Sequence, residues 1–227
     1  MPNSAAELVI ANKELAFQNE EKEKRAAELV IANTKLNISL METITLARKL
    51  GEMRDPYTAG HEKHVGDLAA AIGAELGFDE NHQECLRISG YLHDLGKIIV
   101  PLDILSKPSE LSLEEYSLVK NHVKASYQVL KDVNFPLPIA RATLEHHERM
   151  DGSGYPNGLK GEEISIEGRI ICVADVVEAI ASHRPYRPGL GIEEALAEIN
   201  RGSGSQYDTT VVNACIKLFR EKGYKLF

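Results

Sequence analysis

The sequence reads HHERMDGSGYP from His146 to Pro156, a histidine pair followed by a glycine-rich segment. A second pair, His93–Asp94, lies upstream and is followed by Gly96 and Lys97. Imidazole nitrogen and carboxylate oxygen are good ligands for divalent metal ions, and glycines let a backbone approach a ligand closely. The two pairs together therefore indicate a metal cluster beside a glycine-rich loop.

The apolar residues around these pairs follow a helical period almost throughout. Amphipathic segments cover residues 61–76, 80–91, 113–133 and 168–182,. Ser112, placed before two glutamates, is typical of a helix N-cap. Only Ile98–Ile99–Val100 looks extended. We therefore expect an all-α fold.

An internal repeat marks residues 1–42 as a separate segment. The octapeptide AAELVIAN at Ala5–Asn12 recurs letter for letter at Ala26–Asn33, a period of 21 residues or three heptads,. One heptad position holds Leu8, Leu15, Leu29 and Leu36, and another holds Ile10, Phe17, Ile31 and Ile38. The register therefore stays open. We predict an N-terminal coiled-coil helix that forms a homodimer, with a lone helix folded back onto residues 43–227 as the alternative.

Composition narrows the classes of function. A chain of 227 residues with 43% apolar residues can bury one full core,. Its net charge of -8 disfavours a nucleic-acid polymer as partner,. We expect no membrane span, since no apolar run approaches about 18 residues, and no signal peptide, hence a cytoplasmic location. Cys85, Cys172 and Cys215 are expected to be buried free thiols.

The paired residues favour two ions over one. Adjacent residues on a helix point about 100° apart, so His93–Asp94 cannot serve one ion as equivalent ligands. The pair can flank two ions, with the aspartate bridging them, and His146–His147 has the same geometry. His61, His122 and Asp175 lie in separate predicted helices that would have to converge on these pairs.

These residues and their order resemble the HD-GYP domain, a bacterial branch of the HD metal-dependent phosphohydrolases. The resemblance runs from about Thr43 to Phe219. Its motifs are RDPYTAGH at 54–61, HDLGK at 93–97, VPLDIL at 100–105, the His-His and Gly-Tyr-Pro block, AD at 174–175, RPYRP at 184–188 and GSQYD at 204–208. Three positions depart from the usual pattern: His64 replaces arginine, Val123 replaces proline and Glu178 replaces aspartate.

The resemblance implies an HD-domain helical bundle that hydrolyses a cyclic dinucleotide, typically cyclic di-GMP to pGpG or GMP, in bacterial second-messenger signalling. It implies metal ligands at His61, His93, Asp94, His122, His146, His147 and Asp175, with Asp94 bridging. Relatives hold two or three ions, often iron or manganese. Because Tyr57 stands where the relatives with three ions carry glutamate, we expect two divalent ions here.

Four further residues are expected to bind the substrate. Lys97 would reach the phosphate or the departing oxygen as a point charge, so it joins Asp94 as a candidate catalytic residue. Arg184 and Arg187 would grip the second phosphate with their guanidinium groups, and Tyr155 would stack on a purine.

Two other functions remain open from the sequence. The first is an HD phosphohydrolase that acts on another nucleotide or phosphoester, which would need the metal pairs but no Gly-Tyr-Pro segment. The second is a catalytically silent scaffold that binds a cyclic dinucleotide and signals through its coiled coil. The intact His93–Asp94 pair argues against the scaffold.

Overall fold

The computed structural model describes residues 4–54, 60–107, 109–182 and 189–226. Within these ranges the chain forms α-helices and short 3₁₀ turns, and no β-strand. The expected all-α fold is therefore confirmed.

Ten α-helices make up the described chain. They are α1 (Ser4–Arg54), α2 (His61–Glu75), α3 (Glu80–Leu92), α4 (Leu102–Leu105), α5 (Leu113–Lys120), α6 (His122–Leu130), α7 (Ile139–Glu145), α8 (Ile166–Ala181), α9 (Ile192–Arg201) and α10 (Thr209–Arg220). Short 3₁₀ helices cover Leu95–Ile99 and Gly161–Glu163. Among the described helices, none combines the length and apolar character that a membrane crossing requires.

The chain divides into two units, residues 1–43 and 44–227. In the first unit, α1 is continuous through the sequence repeat, and both candidate heptad positions are exposed. Leu29 is 70% exposed and Phe17 64%. The coiled coil and the homodimer stay predictions.

Helix α8 is central to the core of the second unit. It packs against α2, α3, α7, α9 and α10. Its residues Ile170, Ile171, Val173 and Val177 are fully buried in one cluster with apolar side chains of the neighbouring helices. A helix that is apolar on most of its surface is typical of a buried central position. Asp175 lies within this helix, so a rigid element carries it.

Helices α2 and α3 cross with their backbones in contact. A Cβ atom on Gly90 would lie only 2.4 Å from the Cα atom of Gly66, so neither position has room for a side chain. This close crossing brings His61, at the start of α2, near His93, which follows α3. Their ring centroids are 5.5 Å apart.

Two local predictions were wrong. Ile98 and Ile99 belong to the 3₁₀ helix Leu95–Ile99, because a short apolar run has no period that separates a strand from a helical turn,. The predicted helix over 113–133 is interrupted at Asn121, whose backbone N–H donates to the carbonyl oxygen of Leu118 at 3.2 Å. This i to i−3 bond tightens the last turn of α5 before α6 begins.

Other local predictions are confirmed. Ser112 caps α5 in a capping box with Glu115, in which each side chain accepts from the other residue's backbone N–H,. Cys85, Cys172 and Cys215 are buried free thiols.

Candidate metal centre

The junction between α3 and the following 3₁₀ helix positions the first ligand pair. His93 is the C-cap of α3, and Asp94 is the N-cap of the 3₁₀ helix. Gly96 lies against α6 so closely that a Cβ atom there would be 2.0 Å from the carbonyl oxygen of His122. Ser126 ties the two together, because its hydroxyl accepts from the Gly96 N–H at 2.8 Å and donates to the His93 carbonyl at 3.0 Å.

Three imidazoles are held in the same way. In His93, His122 and His146, the Nδ1–H group donates to the backbone carbonyl three residues earlier, at 2.7, 2.7 and 2.8 Å. A carbonyl oxygen only accepts, so in the neutral form of each ring the hydrogen is on Nδ1 and the lone pair on Nε2. All three Nε2 atoms are buried without a hydrogen-bond partner. Buried lone pairs of this kind are what metal coordination requires.

Asp94 lies among these lone pairs. Its Oδ1 is 3.1 Å from Nε2 of His122 and 4.0 Å from Nε2 of His146, and its Oδ2 is 3.3 Å from Nε2 of His93. The contact with His122 lacks hydrogen-bond geometry, and Oδ1 has no hydrogen-bond partner. Two atoms each about 2.1 Å from one cation and at right angles to each other would be about 3.0 Å apart. The spacing therefore fits two ligands of a shared ion.

All seven residues expected as metal ligands come together in the structure. Their ligand atoms form three groups, each with its members within 4.8 Å of one another. The groups are Asp94, His122, His146 and His147; His61, His93 and Asp94; and His93, His146 and Asp175. Asp94 belongs to two groups, so the arrangement can accommodate two ions that share its carboxylate.

The protonation states suit cation binding. Burial lowers the pKa of His147 to about 3 and that of His146 well below its usual value, so both rings are neutral ligands,. Burial alone would raise the pKa of Asp94, but the nearby cations Lys97 and His93 outweigh it and hold the pKa well below the usual range. His146 and His147 therefore present neutral imidazoles beside an ionised carboxylate.

His61 is oriented by two acids. Its Nε2 lies 3.2 Å from Asp175 Oδ1, and its Nδ1 makes a short contact with Glu178. Burial lowers the pKa of His61, but the two carboxylates outweigh burial and raise the pKa to about 9. Glu178 also lies 3.3 Å from Nδ1 of His64. Two of the three positions that depart from the family pattern are thus in contact with each other.

The glycine-rich segment forms a lip beside the histidines. The carboxylate of Glu148 accepts from the backbone N–H groups of Asn157 at 2.7 Å and Leu159 at 3.0 Å, which folds the segment back on itself. The Tyr155 ring stacks on His147, with centroids 4.7 Å apart, and the Tyr155–Pro156 peptide bond is cis. Tyr155 therefore covers one side of the cluster.

Some residues near the site were not identified from the sequence. Glu148 holds the lip, and its place directly after His146–His147 was the available signal. Glu62 is buried beside the cluster with an unpartnered Oε2, and burial raises its pKa. It follows His61 directly, but a glutamate in a helical pattern is usually a solvated residue.

Of the residues expected to bind phosphate, the structure describes Lys97 but not the two arginines. Lys97 Nζ lies 2.5 Å from Asp94 Oδ2, at the edge of the cluster. Arg184 and Arg187, expected to bind the second phosphate, lie outside the described residues. So does Tyr57, on which the expectation of two ions depends. Both expectations stay predictions.

The fold and the site define an all-α protein with a buried histidine and aspartate cluster that can hold divalent metal. The sequence profile described as HD domain matches residues 5–211. The chain therefore belongs to the HD domain family, and its resemblance to the HD-GYP branch is confirmed.

Several relatives of this chain are named phosphodiesterases. A cyclic di-GMP phosphodiesterase of Thermotoga maritima is 41% identical over 184 residues, which is 80% of this chain and 50% of that protein. The 3'3'-cGAMP-specific phosphodiesterase 3 of Vibrio cholerae is 38% identical over 154 residues, 68% of this chain and 34% of that protein. This chain thus spans about half or less of these relatives.

The fold also matches solved structures. A crystal structure of a cyclic GMP-AMP specific phosphodiesterase of V. cholerae superposes with a TM-score of 0.61 at 21% identity, covering 79% of this chain and 48% of that one. At this level of identity the match supports the fold alone.

Proposed function

We propose that this chain is a metal-dependent phosphodiesterase that hydrolyses a cyclic dinucleotide, cyclic di-GMP in the first instance, to pGpG or GMP. The observation that carries the proposal is the convergence of three buried, unpartnered imidazole nitrogens on the carboxylate of Asp94. Leaving such groups buried without a ligand costs free energy, because each gives up its hydrogen bonds to water.

We assign seven ligands to two divalent ions, iron or manganese. One ion would take His122, His146 and His147, the other would take His61, His93 and Asp175, and Asp94 would bridge them. Mixed imidazole and carboxylate ligands suit both metals. Glu178 would fix the orientation of His61 from the side opposite the ion, as carboxylates do for many metal-bound histidines.

Hydrolysis of a phosphodiester needs a strong nucleophile and relief of negative charge, and a bound pair of divalent ions supplies both. The protein's own residues would orient the substrate. Lys97 would exchange part of its contact with Asp94 for a phosphate oxygen or the departing oxygen. Tyr155 would limit access of bulk water from the side of the lip, and Arg184 and Arg187 would bind the second phosphate.

The relatives support a cyclic dinucleotide as the substrate, and their names indicate two candidate compounds. Curated proteins of comparable similarity are named for cyclic di-GMP and for 3'3'-cGAMP. Cyclic GMP-AMP is therefore the second candidate substrate.

The decisive experiment combines metal content with product analysis. Protein purified without oxygen is expected to contain about two iron or manganese ions per chain by mass spectrometry and to release pGpG or GMP from cyclic di-GMP. His93→Ala and Asp94→Ala should each abolish turnover and lower metal content. His82→Ala is the matched control, because His82 stacks on Phe78 and pairs with Glu167 away from the cluster.

Three outcomes would contradict the proposal. Full turnover by the His93→Ala or Asp94→Ala variant would contradict the assignment of the metal ligands. Hydrolysis of mononucleotides alone would favour a phosphohydrolase of another substrate class. Calorimetric binding of cyclic di-GMP without any product, in metal-loaded protein, would favour the silent scaffold.

A further inference from the structure

A recess next to the lip shares Tyr155 with it, while the residues of α5 and α6 that line the recess have no role in the site described above. It encloses about 190 Å³ and is lined by Ser117, Lys120, Asn121, Lys124, Tyr155 and Pro156. Lys120 is the last residue of α5, and Lys124 lies in the first turns of α6. The helical connection that directs His122 into the metal cluster therefore also lines this recess with two lysines.

The two lysines of the recess have no acidic partner among the described residues. In the portion of the chain that the structure describes, neither ammonium group pairs with a carboxylate. They are four residues apart, one on each side of the break at Asn121. In a chain of net charge -8, the pair places positive charge at the recess, and each ammonium group can only donate hydrogen bonds,.

The recess adjoins the cluster through one aromatic ring. Lys120 Nζ lies 5.7 Å from the ring centroid of Tyr155 and 4.9 Å from that of Tyr116. Tyr155 in turn stacks on His147, a proposed metal ligand. A substrate whose phosphodiester lies at the cluster can therefore extend a second group past Tyr155 to the lysines.

We propose that Lys120 and Lys124 bind the acceptor edge of a guanine base of the substrate and so select guanine over adenine; this inference rests on the proposed function. Guanine presents two acceptors, O6 and N7, whereas adenine replaces O6 with an amino donor. A lysine ammonium has donors only, so it pairs with guanine O6 and meets the adenine amino group donor to donor.

The size and walls of the recess favour a base over a phosphate. A cavity of about 150 Å³ is enough for a benzene ring, so the recess admits the six-membered edge of a purine. Tyr155 and Pro156 supply flat apolar walls, which suit a planar ring. Binding of a phosphate group in the recess is the alternative that the test can detect.

The test compares three substrates that share two phosphodiesters and differ only in their bases: cyclic di-GMP, 3'3'-cyclic GMP-AMP and cyclic di-AMP. In metal-loaded wild-type protein we expect kcat/KM to fall in that order, by about tenfold or more from first to last. The double variant Lys120→Met, Lys124→Met keeps the apolar stems and should reduce that preference to near unity. Lys131→Met removes one exposed lysine from the end of α6 and should keep it.

Each other result counts against the inference. An unchanged preference in the double variant would overturn it, and so would an equal loss for all three substrates, which would identify a phosphate site. If wild-type protein hydrolyses none of the three, the proposed function fails separately. Calorimetric Kd values for the same three ligands then test the role of the recess. If none of them binds, or if the double variant keeps the wild-type ratio of Kd values, the inference is wrong.

Discussion

Gly96 joins the two halves of the metal centre at contact distance. Its Cα faces the carbonyl oxygen of His122 so closely that no side chain fits, and its N–H is held by Ser126. The separation between Asp94 and His122 therefore depends on the absence of one carbon atom.

We expect Gly96→Ala to destabilise the fold by about 1–3 kcal/mol or more, because the methyl group would meet backbone atoms that cannot move aside easily. Metal content should fall with it, since α6 must shift away from Asp94. Chemical denaturation and metal analysis measure the two effects. Gly51→Ala is the control, because no atom lies within 4 Å of a Cβ there, and it should be neutral or stabilising,. Equal behaviour of the two variants would contradict the steric explanation.

Glu178 is expected to act through His61. Glu178→Gln keeps the size of the side chain but weakens one acceptor, so we expect metal affinity to fall about 10–100-fold with the fold intact. Competition with a chromogenic chelator measures the affinity, and circular dichroism checks the fold. Glu167→Gln removes a carboxylate that pairs with His82 outside the cluster and should leave affinity unchanged. Unaltered affinity in the Glu178 variant would mean that His61 needs no such support.

At this scale the sequence was informative about which residues meet, but not about how they are held. The family resemblance implied the seven residues that the structure brings together. It could not predict the contact between His64 and Glu178, since these positions are 114 residues apart and meet only when α2 packs on α8.

Among the elements, α1 carries most of the exposed large apolar residues of the described chain. It exposes two apolar series, one on the Leu8 and Leu15 position and one on the Ile10 and Phe17 position. Exposed apolar stripes of this length favour association, because a long isolated helix gains little from its own hydrogen bonds.

Charge substitution should reveal which series forms the dimer interface. We expect Leu15→Arg with Leu36→Arg to give a monomer by light scattering if the leucine position faces the partner, and Phe17→Arg with Ile38→Arg to give one if the other position does. The pair that does not face the partner serves as the control for the other. If deletion of residues 1–40 leaves a dimer, the coiled-coil prediction is wrong.

The spacing of apolar residues was sufficient to predict the long helices but not to predict where helices break or change type. Helices α2, α3 and α8 follow the predicted segments because each has a continuous apolar face. The break at Asn121 and the 3₁₀ helix at Leu95–Ile99 lie where the Gly96 segment packs on α6, a tertiary contact that no local pattern encodes.

For the whole molecule, metal binding and stability should be coupled. A ligand that binds only the folded state at about 100 times its Kd stabilises that state by about 2.7 kcal/mol. We therefore expect chelation to lower Tm by about 5–10 °C, as measured by differential scanning calorimetry. His93→Ala should show little further change on chelation, whereas His82→Ala should respond as wild type does. If the chelator does not change the Tm of wild-type protein, the cluster binds no ion.

The three buried imidazoles are anchored on main-chain oxygen, three residues upstream of each ring. Every amino acid supplies that oxygen. The orientation of His122 and His146 therefore does not depend on which side chains Val119 and Thr143 carry, whereas position 90 admits only glycine because of its contact with Gly66.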